Sequence, residues 1–155
     1  MTLDDLNPLR QQWLDRINGA TDPSEIDAIV ERTKQAGESW SQKTGRERAE
    51  LLDKVGDALA NNRSRLISAA VFEAGKTIAE TDPEVSEAID FARYYAECAR
   101  GLDRQRSSVF TPYKTVVVTP PWNFPIAIPT GGIAASLAAG SAVIAASAAG
   151  VHHSS

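Results

Sequence analysis

The sequence holds one cysteine, Cys98, in 155 residues. A lone thiol excludes an intramolecular disulfide and fits a reducing compartment, here expected to be the cytoplasm. No block of Lys or Arg is present, and 16 basic against 20 acidic residues leave a formal charge of -4. A nucleic-acid footprint needs clustered positive charge, so no nucleic-acid partner is expected. The opening "MTLDDLNPLRQQ" lacks the basic start and apolar core of a secretory signal. The uncharged segment from Pro125 to Ala149 is interrupted by Pro129 and by glycines and is rich in Ala and Ser, so no membrane span is expected. The glycines are not spaced for a dinucleotide fingerprint or a phosphate loop, either in "GGIAASLAAG" or in "EAGKT".

What is present in the first hundred residues is helical grammar. Asn7-Pro8 starts a short amphipathic helix carrying Leu9, Trp13 and Ile17, ending near Gly19. Asp22-Pro23-Ser24-Glu25 is a stronger start, an Asp cap followed by a proline with no donor to lose and a Glu in the first turn. Ile26, Ile29, Val30 and Thr33 form the buried stripe expected of that helix. A third helix is expected from about Arg46 to Ala60 with Leu51, Leu52, Val55 and Leu59 inward. After Asn61-Asn62 a fourth carries Leu66, Ile67, Ala70 and Val71 and stops at Gly75. Asp82-Pro83-Glu84 opens a fifth, with Val85, Ile89, Ala92, Ala96 and Ala99 inward and Gly101 at its end.

After Arg106 the pattern changes. "YKTVVVT", Tyr113 to Thr119, is a β-branched run whose near-continuous apolarity suits a parallel strand covered on both faces. Pro120 and Pro121 cannot continue it, because adjacent prolines lack ladder donors. Pro125 suits the first turn of a small-residue helix from Ile126 to Ala139, and Ser141 to Ala146 reads as the next strand. Strand, loop, helix and strand make a right-handed crossover, in which ligands collect at the carboxyl ends of the strands. The fold class is α/β, with an N-terminal helical layer leading into the first strand-helix-strand unit of a Rossmann-like domain. Two strands are few to cover such a layer, and a weakly cooperative thermal transition is expected.

In "PPWNFP" the informative residue is Asn123, an amide donor fixed among bulky and proline neighbours at the end of a strand. Such a donor can stabilise the oxyanion that develops when a nucleophile attacks a carbonyl. The competing structural reading has Asn123 bonding the local turn and Trp122 filling core. Cys98 lies mid-helix in "YYAECARG" without the electropositive setting of a reactive thiol, and is assigned to helix packing. Lys76 sits near the negative pole of the helix that Gly75 ends. His152-His153 have no further ligand near them and are read as solvated, so no metal site is expected.

At "TPPWNFPIAIPTGG" the sequence resembles the NAD(P)-dependent aldehyde dehydrogenase superfamily. The longer run "EAGKTIAETDPEVSEAIDFARYYAECARGLD" with "VVVTPPWNFPIAIPTGGIAASLAAGSAVI" resembles the aldehyde dehydrogenase half of bifunctional proline-utilization proteins. The resemblance implies an NAD-dependent oxidoreductase converting glutamate γ-semialdehyde to glutamate, working as a homo-oligomer on a small-molecule aldehyde. It implies that Asn123 helps hold the carbonyl oxygen while a cysteine forms a thiohemiacetal, and that the backbone of Thr119, Pro120, Pro121 and Trp122 borders the cofactor.

The departures from the family pattern are equally specific. Where the resemblance implies a lysine reaching the cofactor ribose, this chain has Ala146, and "AASAAGVHHSS" resembles no part of the family. The nucleophilic cysteine, the general-base glutamate and a later glycine-rich helix belong to stretches beyond the resemblance, and Cys98 matches none of them. The organisation expected is a helical extension over 1–22, the N-terminal part of an aldehyde dehydrogenase domain over 23–144, and an unrelated, disordered tail over 145–155, as a frameshifted or truncated frame would produce. Such a chain is expected to be inactive alone. The rival class is a non-catalytic helical interaction module that binds a full-length homologue or another partner.

Overall fold

The computed structural model describes residues 23–146. The helix expected after Asn7-Pro8 and the His152-His153 pair lie outside the described residues. Those described form helices α1 (Pro23–Ser41), α2 (Gly45–Asn61), α3 (Arg63–Ala74) and α4 (Ile78–Arg104), strand β1 (Thr115–Val118), helix α5 (Ala127–Ala138) and strand β2 (Ala142–Ala145).

Two helix starts use a reciprocal cap in which a threonine and the glutamate three residues on satisfy each other's backbone donors. At α2 the Thr44 N–H donates to Glu47 Oε2 at 2.8 Å and the Glu47 N–H donates to Thr44 Oγ1 at 3.2 Å. At α4 Thr77 and Glu80 do the same at 2.9 and 3.3 Å. This moves the start of α4 a turn upstream of the Asp82-Pro83-Glu84 signal, and leaves Pro83 inside the helix. Pro83 leaves the Ala79 carbonyl without its helical donor, but Ala79 is exposed and water can replace the bond. Asp82 is then free to hold α3, taking Arg63 Nε at 2.7 Å. Gly101 does not end α4, which continues to Arg104; Gly75, at φ +64°, does end α3.

The core is built from small residues. Ala49 and Leu52 of α2, Ala96 and Ala99 of α4, and Ala134 and Ala138 of α5 form one buried cluster. Small side chains let the axes approach: at Gly45 an added Cβ would fall inside the van der Waals envelope of the Ala99 carbonyl oxygen, and the Gly45 N–H donates to Asp103 Oδ1 at 2.7 Å. Asp103 Oδ2 takes the next N–H, from Arg46, at 2.8 Å, so a carboxylate from the end of α4 satisfies the start of α2. The inward face of α2 is therefore Ala49, Leu52 and Gly56, while Leu51 and Val55, expected inside, are exposed. The register follows closest helix approach rather than side-chain size. Arg48 is also buried, donating from Nε to the Ala138 carbonyl at 3.0 Å and from Nη1 to the Lys43 carbonyl. Burial lowers the pKa of its guanidinium. It holds the carboxyl end of α5 against α2, and Gly140, at φ +91°, carries the chain past it.

β1 and β2 pair in parallel, with Thr115 opposite Ala142 and Val118 opposite Ala145. Val118 faces Gly132 of α5, where an added Cβ would lie 2.8 Å from the valine side chain. Residues alternate faces along a strand, so Thr115 and Val117 take the other side, which α1 reaches where Gly37 meets Ala142. That contact covers only the start of the strand, and Val117 is 57 % exposed. The expectation of a strand covered on both faces is corrected to that extent. The same geometry exposes Ile26 and Ile29: only the carboxyl half of α1 is seated, with the Trp40 indole N–H donating to the Leu137 carbonyl at 3.0 Å. Of the expected stripe, Ile26 and Ile29 overhang the sheet, while Val30 and Thr33 are half-buried. Among the described residues no helix is long and apolar enough to cross a membrane.

The caps and ion pairs lead us to expect a fold that loses stability in acid. Hydrogen bonds from Thr44 and from Thr77 hold the Glu47 and Glu80 carboxyls below their ordinary pKa, Arg63 does so for Asp82, and Arg104 for Glu97. Groups depressed in the folded state contribute stability above their unfolded pKa and lose it as pH falls through the folded value. Denaturation midpoints are expected to be flat above pH ~5 and to drop progressively below pH ~4, where ordinary carboxyls titrate. A midpoint that rises on acidification would contradict this.

Candidate active site

β1 ends at Val118, and residues 119–126 lead from its carboxyl end to α5. β2 ends beside it: the Ala146 N–H donates to the Val118 carbonyl at 2.9 Å, which brings Ala146 next to the start of the loop. Thr119, Pro121, Trp122 and Asn123 are exposed and Pro120 is half-buried. Pro125 precedes the cap residue Ile126 instead of entering the first turn, and Pro129 takes that turn, where no donor is needed.

The structural reading of Asn123 and Trp122 does not hold. Among the described residues the Asn123 side-chain amide makes no hydrogen bond, so it does not close the turn. The Trp122 side chain does not fill core, with 61 % of the residue exposed. Both are exposed on the loop that follows β1.

The loop rests on a pair of charges. Glu84, 3 % exposed, accepts at Oε1 from the Ile126 N–H at 2.7 Å and the Ala127 N–H at 3.1 Å. Its Oε2 accepts from Lys76 Nζ at 2.6 Å. Lys76 Nζ also donates to the Asn123 carbonyl at 3.1 Å and lies 4.4 Å from the centroid of the Phe124 ring. Lys76 does follow the carboxyl end of α3, but its ammonium is committed to Glu84 and the loop. A carboxylate already occupies the amino end of α5, so that helix end is not open to a phosphate. This agrees with the absence of a glycine fingerprint.

Cys98 is exposed on α4, which corrects its assignment to helix packing. It lies fourteen residues beyond Glu84 in the same helix, a rise of about 21 Å. It cannot serve a carbonyl held at Asn123. The described residues hold no cluster of three His, Cys, Asp or Glu side chains suited to a metal ion.

The loop is thus carried by helices at the amino end and a parallel strand-helix-strand unit. Residues 1–155 match the aldehyde dehydrogenase family, and the chain belongs to it. It is 39% identical over 123 residues to the bifunctional protein PutA of Escherichia coli, a match covering 79% of this chain and 9% of that protein. It is 34% identical over 154 residues to the 1-pyrroline-5-carboxylate dehydrogenase of Staphylococcus haemolyticus, covering 92% of this chain and 30% of that one. The solved 1-pyrroline-5-carboxylate dehydrogenase from Thermus with bound NAD superposes with a TM-score of 0.71 at 34% identity, over 79% of this chain and 26% of that structure. The chain thus spans less than a third of the length of these relatives.

Sequence reasoning missed Glu84 as part of the site. A signal was there: Thr81, Glu84, Val85 and Ala88 fall on the stripe of α4 that the structure buries, and an acidic residue on an apolar stripe calls for a partner.

Proposed function

We propose that this chain is the N-terminal part of an NAD-dependent aldehyde dehydrogenase that oxidises glutamate γ-semialdehyde to glutamate in proline catabolism, in the cytoplasm and as a homo-oligomer. The observation that carries the reading is the unbonded Asn123 amide, presented on a loop at the carboxyl ends of two parallel strands. In the reaction this amide donates a hydrogen bond to the aldehyde oxygen as negative charge develops on it. The names and folds of the relatives support the substrate, and the strand-helix-strand unit is read as the first of a Rossmann-like domain within residues 23–144.

NAD supplies the hydride acceptor when bound. The residues present fit one wall of its site. Thr119, Pro120, Pro121 and Trp122 provide an exposed border at the strand ends, while Ala146 offers no side-chain donor to a ribose and the amino end of α5 is taken by Glu84.

Two measurements test the reading. Purified chain mixed with NAD and glutamate γ-semialdehyde is expected to produce no NADH, because its one thiol is remote from Asn123; turnover by chain free of contaminating enzyme would overturn that. Residues 23–146 exchanged for the matching stretch of the Staphylococcus haemolyticus enzyme are expected to support NAD-dependent oxidation of the same aldehyde. An NAD titration of the chain alone, followed by NMR, addresses the rival class. Saturable shifts at Thr119 to Asn123 favour the cofactor wall, and none, together with ordering by a full-length homologue, favours the helical interaction module.

A further inference from the structure

We infer that Lys76 is a positioning residue for Asn123, and that with Glu84 it forms a two-point clamp on the active-site loop. The inference rests on the reading of Asn123 as the donor to the aldehyde oxygen, and concerns how that donor is held in place. Among the described residues, the bond from Lys76 Nζ to the Asn123 carbonyl is the sole side-chain hydrogen bond reaching residues 119–125, whose own order is one turn at Trp122 and Asn123. Without it the loop is tied to the rest of the fold only at its ends, by the β1–β2 ladder and by Glu84 on Ile126 and Ala127. A donor that must meet an oxygen within a few tenths of an ångström needs more than that.

The clamp is held firmly from its other side. Lys76 lies between two capped helices, after Gly75 in the left-handed conformation that ends α3 and before Thr77, whose reciprocal cap with Glu80 starts α4. Its backbone is therefore set by both helices, and its side chain is only 12 % exposed. Neutralising Glu84 would occupy one N–H of the ammonium. A second goes to the Asn123 carbonyl, and the flanking Phe124 ring lies within cation–π range. Glu84 divides its two oxygens in the same way, Oε2 for Lys76 and Oε1 for the start of α5. One ion pair thus links the helical layer to the middle of the loop and to its exit.

A buried pair of this kind could serve stability alone, so the test separates local order from global folding. Backbone relaxation and amide exchange are measured by NMR on the 155-residue chain as wild type, Lys76→Met, Lys76→Arg and Glu84→Gln. In Lys76→Met, order parameters at residues 122–124 are expected to fall from about 0.85 to below about 0.6. Exchange protection in α2 and α4 should change by less than about threefold, the scatter expected for a local effect. Lys76→Arg, which keeps a charged donor, is expected to restore the loop order. Glu84→Gln should speed exchange at Ile126 and Ala127 by about tenfold or more, equivalent to loss of one charge-assisted bond. Unchanged order at 122–124 in Lys76→Met, absence of protection at Ile126 and Ala127 in the wild type, or a uniform loss of protection throughout α2 and α4 would each overturn the inference. The same variants in the exchanged enzyme keep the two claims apart. If Lys76→Met loosens the loop and kcat falls with the KM for NAD unchanged, positioning and function both stand. If the loop loosens and kcat does not fall, the clamp stands and the role of Asn123 fails.

Discussion

Gly45→Ala is expected to cost about 3 kcal/mol or more, at the upper end of overpacking effects. A Cβ at this position would fall inside the van der Waals envelope of the Ala99 carbonyl oxygen and within 2.7 Å of Asp103 Oδ1. Neither atom can give way without consequence. The Ala99 carbonyl belongs to the α4 backbone, and Asp103 is the carboxylate that satisfies the first two N–H groups of α2. Separating the helices to admit a methyl group would also open the cluster of Ala49, Leu52, Ala96 and Ala99. Set against the 5–15 kcal/mol typical of a whole domain, about 3 kcal/mol is a substantial share of the total stability. Urea unfolding followed by circular dichroism reads this directly, and a loss under about 1 kcal/mol would contradict such close packing.

Asn123→Ala is expected to lower kcat by about 10²- to 10³-fold in the exchanged enzyme, the usual result of removing one oxyanion donor. Stability should be nearly unchanged, because the amide makes no hydrogen bond among the described residues and the residue is exposed. The combination is diagnostic. A residue kept for the turn would show the reverse, a loss of stability with turnover intact. If the substitution removes a contact made only in the transition state, kcat and kcat/KM fall together.

The parts of this fold legible in the sequence are those signalled by local chemistry. Gly75 ends α3 because only a glycine takes φ +64° there at no steric cost. The β-branched run and the paired prolines set β1 and its end, and the glycine before Ser141 separates α5 from β2. What was misread depended on partners distant in sequence. Leu51 and Val55 lost the inward face of α2 to Ala49, Leu52 and Gly56 because small residues let α2 approach α4, a preference that hydrophobicity does not rank. The Asp82-Pro83 signal was overridden by Thr77 and Glu80, which satisfy each other a turn earlier, while Asp82 serves Arg63.

The candidate site divides in the same way. The loop Thr119 to Asn123 could be found from its prolines and its place after a strand. Its support could not, since Lys76 and Glu84 stand 47 and 42 residues from the Asn123 and Ile126 groups they hold. Cys98 illustrates the opposite error, a residue assigned to packing that α4 instead turns to solvent.

On the proposed reading this loop presents Asn123 to an aldehyde carbonyl. Its most direct measurement is steady-state reduction of NAD by glutamate γ-semialdehyde in the exchanged enzyme, compared with the same enzyme carrying Asn123→Ala and matched for folding by circular dichroism. Measurable turnover is expected with Asn123, and a loss of at least about 10²-fold in kcat/KM with alanine. A folded exchanged enzyme that does not oxidise the aldehyde, or one that oxidises it equally well with either residue, would contradict the account.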